Sequence, residues 1–190
     1  MFKKIILILL LLTTSTSFAA NQSYVDVSKN AWYYGEVKYA SDKLWVRGYG
    51  DDTFKPNQGL TIGEALHITL KMLGYKQPSD VDWMTWTEET SMKANLILPL
   101  EFMDLTQPLS RKEMVLIGLR AIDKPLESDY MGFSQKIKDL NEVNYYWQQV
   151  LIKGYAQGIV TGYGQGYLMP NQTMTRAEGV TIINRLFKKI

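Results

Sequence analysis

An internal repeat constrains the fold of this 190-residue chain more than any other feature. Residues 48–73 and 162–187 align without a gap, and nine of the 26 aligned positions are identical. Both segments contain Gly-Tyr-Gly followed by Pro-Asn-Gln. Because a single repeat cannot bury its apolar face alone, the repetition predicts units that pack around a shared core.

A weaker third copy lies between these two segments and lacks the Gly-Tyr-Gly and Pro-Asn elements. All three copies keep an apolar residue, then Ser or Thr, then Glu three residues later. The hydroxyl and glutamate positions are Thr61 and Glu64, Ser110 and Glu113, and Thr175 and Glu178. This spacing is typical of a capping box, in which each side chain satisfies a backbone N–H of the other residue. It predicts three helices that begin after Thr61, Ser110 and Thr175.

A second amphipathic segment precedes each capping box, roughly at residues 33–43, 85–95 and 146–156. The chain therefore divides into three helix–loop–helix units, which we call unit 1 (24–75), unit 2 (78–122) and unit 3 (133–190). Residues 123–132 are predicted to connect unit 2 to unit 3. Without long strand patterns, the predicted fold is mainly α, with the three units forming one compact domain.

The N-terminal residues 1–19 are typical of a secretory signal peptide. Lys3 and Lys4 precede eight consecutive aliphatic residues, and Ser17-Phe18-Ala19 fits a cleavage site. Eight helical residues rise only about 12 Å, which is too short for a hydrocarbon core of about 30 Å. The sequence therefore predicts export, and no membrane span after cleavage.

Composition excludes several classes of function. The 21 Lys+Arg nearly balance the 19 Asp+Glu, which argues against a nucleic-acid partner. The chain has no Cys, so disulfide scaffolds and thiol catalysis are excluded. His67 is the only His, and Glu88 and Glu89 are adjacent and would diverge on a helix. We therefore expect no enzyme activity, no metal site and no cofactor.

Further shared positions identify a family. Asp26 and Asp139 open the outer units, an aromatic residue follows each, and Gly-Tyr, Pro-Asn and the tetrapeptide Thr-Arg-Ala-Glu at 175–178 complete the pattern. On these residues the chain resembles the S-layer homology (SLH) domain in three tandem copies, with a degenerate middle copy. Two departures stand out. Ile62 replaces the signature Arg in unit 1, and unit 2 has Ser-Arg-Lys-Glu on a shortened loop.

The resemblance implies a pseudo-threefold, three-pronged spindle around a central helical bundle. It also implies a secreted protein of the bacterial cell wall or S-layer that binds a secondary cell-wall polymer or a peptidoglycan-linked glycan. Such polymers usually carry acidic, pyruvylated sugars. Helix N-termini, arginine and aromatic rings could together hold them. The candidate ligand-binding residues are Arg176, Arg111, Thr175, Glu178, Ser110, Glu113, Asp26, Asp139, Trp32, Trp147, Tyr49 and Tyr163.

Other interpretations of these residues stay open. The capping residues can stabilise helices without touching a ligand, which leaves Arg111 and Arg176 as the sharper functional candidates. If they bind ligand from the surface, their removal should weaken binding and leave stability unchanged. Ile62 and the degenerate unit 2 favour an alternative, an adaptor module that binds another surface protein and has lost the polymer. An enzyme acting on wall glycan is the third hypothesis.

Overall fold

The computed structural model describes residues 23–96, 104–122 and 130–190. The predicted signal peptide and residues 123–129 of the predicted connector lie outside the described residues. Within them the chain is mainly helical, as predicted, and has no β-strand. The α-helices are α1 Tyr34–Asp42, α2 Ile62–Met72, α3 Trp83–Lys93, α4 Arg111–Ile122, α5 Tyr145–Ala156 and α6 Arg176–Phe187, and two 3-10 helices span Tyr130–Lys136 and Leu140–Glu142.

The predicted capping residues mark the starts of α2, α4 and α6. Thr61 and Thr175 form complete capping boxes with their glutamates. At α4, the backbone N–H and the hydroxyl of Ser110 both donate to Glu113 Oε2, each at 2.7 Å. These contacts confirm the predicted helix starts and show that local hydrogen bonding sets them.

A closed ring of backbone hydrogen bonds joins the three units. Leu60 N–H donates to the carbonyl of Met174 at 2.8 Å, Met174 to Leu109 at 2.9 Å, and Leu109 back to Leu60 at 2.8 Å. All three side chains are fully buried. The three residues directly before the caps therefore surround a pseudo-threefold axis, one from each unit.

A second set of bonds links each helix start to the loop of another unit. The first two helical N–H groups donate to carbonyls across the unit boundary: Ile62 to Gln107, Gly63 to Leu105, Arg111 to Gln172, Lys112 to Pro170, Arg176 to Gln58 and Ala177 to Pro56. Thus α2 contacts unit 2, α4 contacts unit 3 and α6 contacts unit 1. The expectation that these N-termini offer free N–H groups to an anion is wrong, because the neighbouring loop uses them.

Glycines allow the helices to approach closely within this arrangement. A Cβ atom at Gly118 would lie 3.0 Å from Leu186 Cδ2, and one at Gly179 would collide with Leu60 of unit 1. A second apolar cluster packs α4 against α5 around Val115 and Leu151. None of the helices in the described ranges combines the length and hydrophobicity needed to cross a bilayer.

Two candidate ligand grooves between the units

The ring of contacts creates two grooves of similar size between the units. Groove 1 has a volume of about 410 Å³ and lies where α6 meets unit 1. Groove 2 has a volume of about 400 Å³ and lies where α4 meets unit 3. The side chains that line the grooves include Arg176, Glu64, Tyr49, Lys71, His67 and Trp83 in groove 1, and Arg111, Glu178, Tyr163, Arg185 and Trp32 in groove 2.

The two grooves are built from equivalent residues of the repeat. In each, the signature Arg comes from one unit, while Glu, Tyr and a second cation come from the next unit. A Trp from the remaining unit completes the wall. Each groove therefore needs all three units, although its residues are far apart in sequence.

Arg176 is buried against unit 1, with 6% of its surface exposed. Its Nη1 donates to Glu64 Oε1 at 2.9 Å, and its Nε donates to the carbonyl of Phe54 at 3.0 Å. Its Nη2 reaches the carbonyl of Arg47 at 3.3 Å. The guanidinium also lies 5.0 Å from the centre of the Tyr49 ring. Arg176 therefore connects unit 3 to unit 1 through all three of its nitrogen atoms.

Arg111 holds the corresponding place in groove 2 and is equally buried. Its Nη2 donates to Glu178 Oε1 at 3.0 Å and contacts the hydroxyl of Tyr163, which also contacts Glu178. The guanidinium carbon lies 4.2 Å from the centre of the Tyr163 ring. Burial lowers the pKa of Arg111, and the carboxylate of Glu178 opposes that shift.

Each groove contains one buried polar atom that has no hydrogen-bond partner among the described residues. In groove 1 this atom is the hydroxyl oxygen of Tyr49, and in groove 2 it is Nε of Arg111. Buried polar atoms are normally paired, because an unpaired one costs roughly 1–3 kcal/mol. Both atoms are thus suited to a polar group of a ligand.

The second cations, Lys71 and Arg185, were not predicted as site residues. Both lie ten residues after a cap residue, Thr61 or Thr175, and so occupy the same position of the repeat. Both are partly buried. The sequence contains a signal for this position, because unit 2 also has a basic residue, Arg120, ten residues after its cap residue Ser110.

Trp32 and Trp83 also occupy equivalent positions. Each lies twelve residues before a residue with positive φ that follows its helix, Leu44 at +60° or Asn95 at +55°. Trp32, which was predicted, is 65% exposed, while Trp83 was not predicted. The predicted Trp147 is half-buried on the second apolar cluster, with Lys112 Nζ 5.5 Å from its ring centre, and it is not among the residues that line either groove.

The carboxylates of Asp26 and Asp139 accept hydrogen bonds from backbone N–H groups. Asp26 accepts the N–H groups of Phe54 and Lys55, both at 2.7 Å. Asp139 accepts those of Leu168 and Met169 at 3.1 and 2.7 Å. Lys55 and Met169 have positive φ, a backbone conformation that residues other than glycine rarely adopt. The two carboxylates thus stabilise equivalent loops in this conformation.

His67 lines groove 1 and is held as a neutral ring. Burial is the larger cause that lowers its pKa to about 4, and the charge of Lys71 adds to it. Its Nδ1 lies 3.0 Å from the hydroxyl of Thr87, whose own proton goes to the carbonyl of Trp83. Nδ1 must therefore donate, which leaves the other ring nitrogen unprotonated. The ring also meets Trp83 and Trp86 edge to face.

The third unit boundary, between α2 and unit 2, departs from this construction. Ile62 stands where the other two boundaries have arginine, and it is buried. Glu113 is bound to Ser110 in its own unit. Residues 97–103, where unit 2 would place its loop, lie outside the described residues. The candidates Ser110 and Glu113 thus belong to a boundary without the signature guanidinium.

Comparison with protein families agrees with these repeated positions. The family model of the S-layer homology domain matches residues 23–66 and 136–178. The chain therefore contains two segments that match the S-layer homology domain. The matched segments fall in unit 1 and unit 3, the two units that supply the tyrosines and second cations of the grooves. In SLH terms, both grooves lie where the signature tetrapeptide of one unit meets its neighbour.

Three relatives are similar to this chain over most of its length. The chain is 25% identical to cell surface glycoprotein 1 of Acetivibrio thermocellus over 77% of its own length, and 26% identical to the cellulosome-anchoring protein of that organism over 76%. It is 24% identical to an amylopullulanase of Thermoanaerobacterium thermosulfurigenes over 91%. The chain spans only 7%, 36% and 10% of these three relatives, so what they share is an SLH region within larger proteins.

Proposed function

We propose that the chain attaches to the bacterial cell wall by binding an acidic, pyruvylated glycan of the secondary cell-wall polymer in groove 1 and groove 2. The observation that carries this proposal is the repetition of one set of residues in both grooves. Each combines a tryptophan face, a cation that no carboxylate pairs among the described residues, and a buried polar atom without a partner. These are the groups that an acidic sugar requires.

The charge of the grooves supports an anionic ligand although the whole chain is nearly neutral. In groove 1 the carboxylate of Glu64 is paired with Arg176, which leaves Arg47 and Lys71 in excess. In groove 2 the carboxylate of Glu178 is paired with Arg111, which leaves Arg185. Attraction of a carboxylate depends on this local excess rather than on net charge.

The names of the relatives agree with this function. They include a cell-surface glycoprotein and an anchoring protein, which bears out the cell surface as the location that the sequence predicts. The amylopullulanase is a catalytic relative, but the family match in this chain is to the SLH domain. A role in attachment without catalysis is therefore the proposal, and any cargo or surface partner would depend on it.

A sacculus pull-down tests the proposal. The chain from residue 20 onwards is mixed with sacculi of Acetivibrio thermocellus before and after chemical removal of the secondary polymer. Binding that disappears on removal of the polymer is the expected result. Binding that survives it would contradict the proposal, because the target would then be peptidoglycan or a protein. The stripped sacculi serve as the matched control.

A further inference from the structure

Two kinds of cation face each groove, and they differ in what they already bind. In groove 1, every nitrogen of the Arg176 guanidinium has a protein acceptor: two backbone carbonyls and the carboxylate of Glu64. The contact with Glu64 crosses from unit 3 to unit 1 in a buried place. A ligand carboxylate would have to compete with Glu64 for a charge that is already neutralised.

Lys71 is in a different situation. It lines groove 1, yet it has neither an ion pair nor a hydrogen bond among the described residues. Burial and the nearby charge of Arg47 both lower its pKa. An anion in the groove would offset both causes, since it pairs the ammonium group and screens it from Arg47.

Arg185 has the same position in groove 2. Its one hydrogen bond in the described structure is a long contact of 3.4 Å from Nη1 to the hydroxyl of Thr161. Its charge is close enough to Arg111 to contribute to the lowered pKa of that residue. Here too an anion would relieve repulsion between two cations, because Glu178 is paired with Arg111 and not with Arg185 among the described residues.

We propose that the acidic group of the glycan is bound by Lys71 in groove 1 and by Arg185 in groove 2, while Arg176 and Arg111, each paired with a glutamate, position the groove walls. Nε of Arg111 remains a donor for a neighbouring polar group of the sugar. This assignment rests on the proposed function and names the residues that discriminate acidic from neutral sugars. It moves the anion contact from the start of the helix to a site ten residues beyond the cap. The two grooves then differ chemically, because lysine offers a point charge and arginine a planar fork.

The experiment uses the secondary polymer released from the same sacculi, before and after carbodiimide amidation of its carboxylates. The wild-type chain should bind the native polymer and lose affinity on amidation. Lys71→Ala and Arg185→Ala should each reduce occupancy of one groove, and the double variant should lose roughly tenfold or more in affinity. The double variant should also respond little to amidation, since the groups that detect the carboxylate are gone.

Arg120→Ala is the matched control, because Arg120 has the same repeat position and is also partly buried, but belongs to unit 2. It should bind like the wild type. Thermal melts of all variants should coincide, since neither Lys71 nor Arg185 has an acidic partner among the described residues. A double variant that keeps wild-type affinity or full sensitivity to amidation overturns the assignment, as does an equal loss with Arg120→Ala. A wild-type chain that ignores the native polymer overturns the proposed function itself.

Discussion

Arg176 and Glu64 form an ion pair with an N–O distance of 2.9 Å, although 112 residues separate them in the sequence. Arg176 comes from the signature tetrapeptide of unit 3 and Glu64 from the capping box of unit 1. The same glutamate accepts the N–H of Thr61 with its other oxygen at 3.0 Å. One carboxylate thus completes a helix cap and joins two units.

This pair predicts that Arg176→Ala destabilises the fold. Removal of one partner leaves a carboxylate and two carbonyls without their donor in a largely buried place, which should cost about 3 kcal/mol. Chemical denaturation measures the loss. The exposed pair Lys93 and Glu89 provides the control, and Lys93→Ala should cost less than about 1 kcal/mol. Equal losses in the two variants would mean that Arg176 is not structural.

The capping box of α6 predicts a smaller effect. Thr175→Ala removes the oxygen that accepts the N–H of Glu178 and should destabilise by about 1 kcal/mol, up to about 2. Thr175→Ser keeps that oxygen and should retain most of the stability. Thermal melts distinguish them, and identical melts for Ala and the wild type would contradict the assigned cap.

Because Ile62 is buried outside both grooves, its truncation should lower stability without lowering affinity. Ile62→Ala should destabilise by about 2–3 kcal/mol, because it leaves a cavity in the apolar boundary between α2 and unit 2. The folded variant should keep its affinity for polymer, since neither proposed groove includes residue 62. Binding is measured well below the melting temperature of the variant. A parallel loss of affinity would point to a ligand at this third boundary.

Trp32 predicts a loss of binding without a loss of stability. Its ring is largely exposed on the wall of groove 2, so Trp32→Ala should leave the melt nearly unchanged. Loss of stacking on a sugar should lower affinity by up to about tenfold at that groove. Tyr145→Ala, at a more exposed ring that lines neither groove, is the control and should bind normally.

His67 predicts a pH dependence of stability. Its pKa is about 4 in the folded chain and about 6.5 when unfolded, so the unfolded state takes up a proton first as the pH falls. The neutral ring therefore stabilises the fold above pH 6.5, and this contribution is lost between pH 6.5 and 4. The free energy of unfolding should fall by about 2 kcal/mol over this range. This is less than the energy that corresponds to the whole pKa shift, because the ring is partly exposed to solvent. Denaturation of His67→Gln should lack this component.

The parts of the structure that depend on neighbouring residues could be predicted from the sequence. The hydroxyl and carboxylate of a capping box lie three residues apart, so Thr61 and Thr175 indicated helix starts directly. The groove residues could not be found in that way. Nothing local to Arg176 indicates that its partner is Glu64, and nothing local to Trp83 indicates a groove formed by units 3 and 1.

Repeat position was the signal that could have found more of the site. The same count after each cap, which the sequence marks, leads to Lys71 and Arg185. The equivalence of Trp32 and Trp83 depends on the positive φ of Leu44 and Asn95 and therefore needs the structure. Trp147, a candidate by residue type alone, packs on the apolar cluster beside α5. Position in the repeat decides which side chains meet, because the pseudo-threefold axis relates positions and not residue types.

The backbone ring through Leu60, Leu109 and Met174 also fixes the number of units. An open array of repeats leaves an unused edge at each end and can lengthen by adding another repeat. Here the loop of unit 1 already receives α6, so within this ring no edge remains to accept a fourth unit. Duplication of a repeat cannot raise the number of grooves, and only substitution at an existing boundary can do so. Such a substitution would act at position 62, where unit 1 has isoleucine and the other two units have the signature arginine.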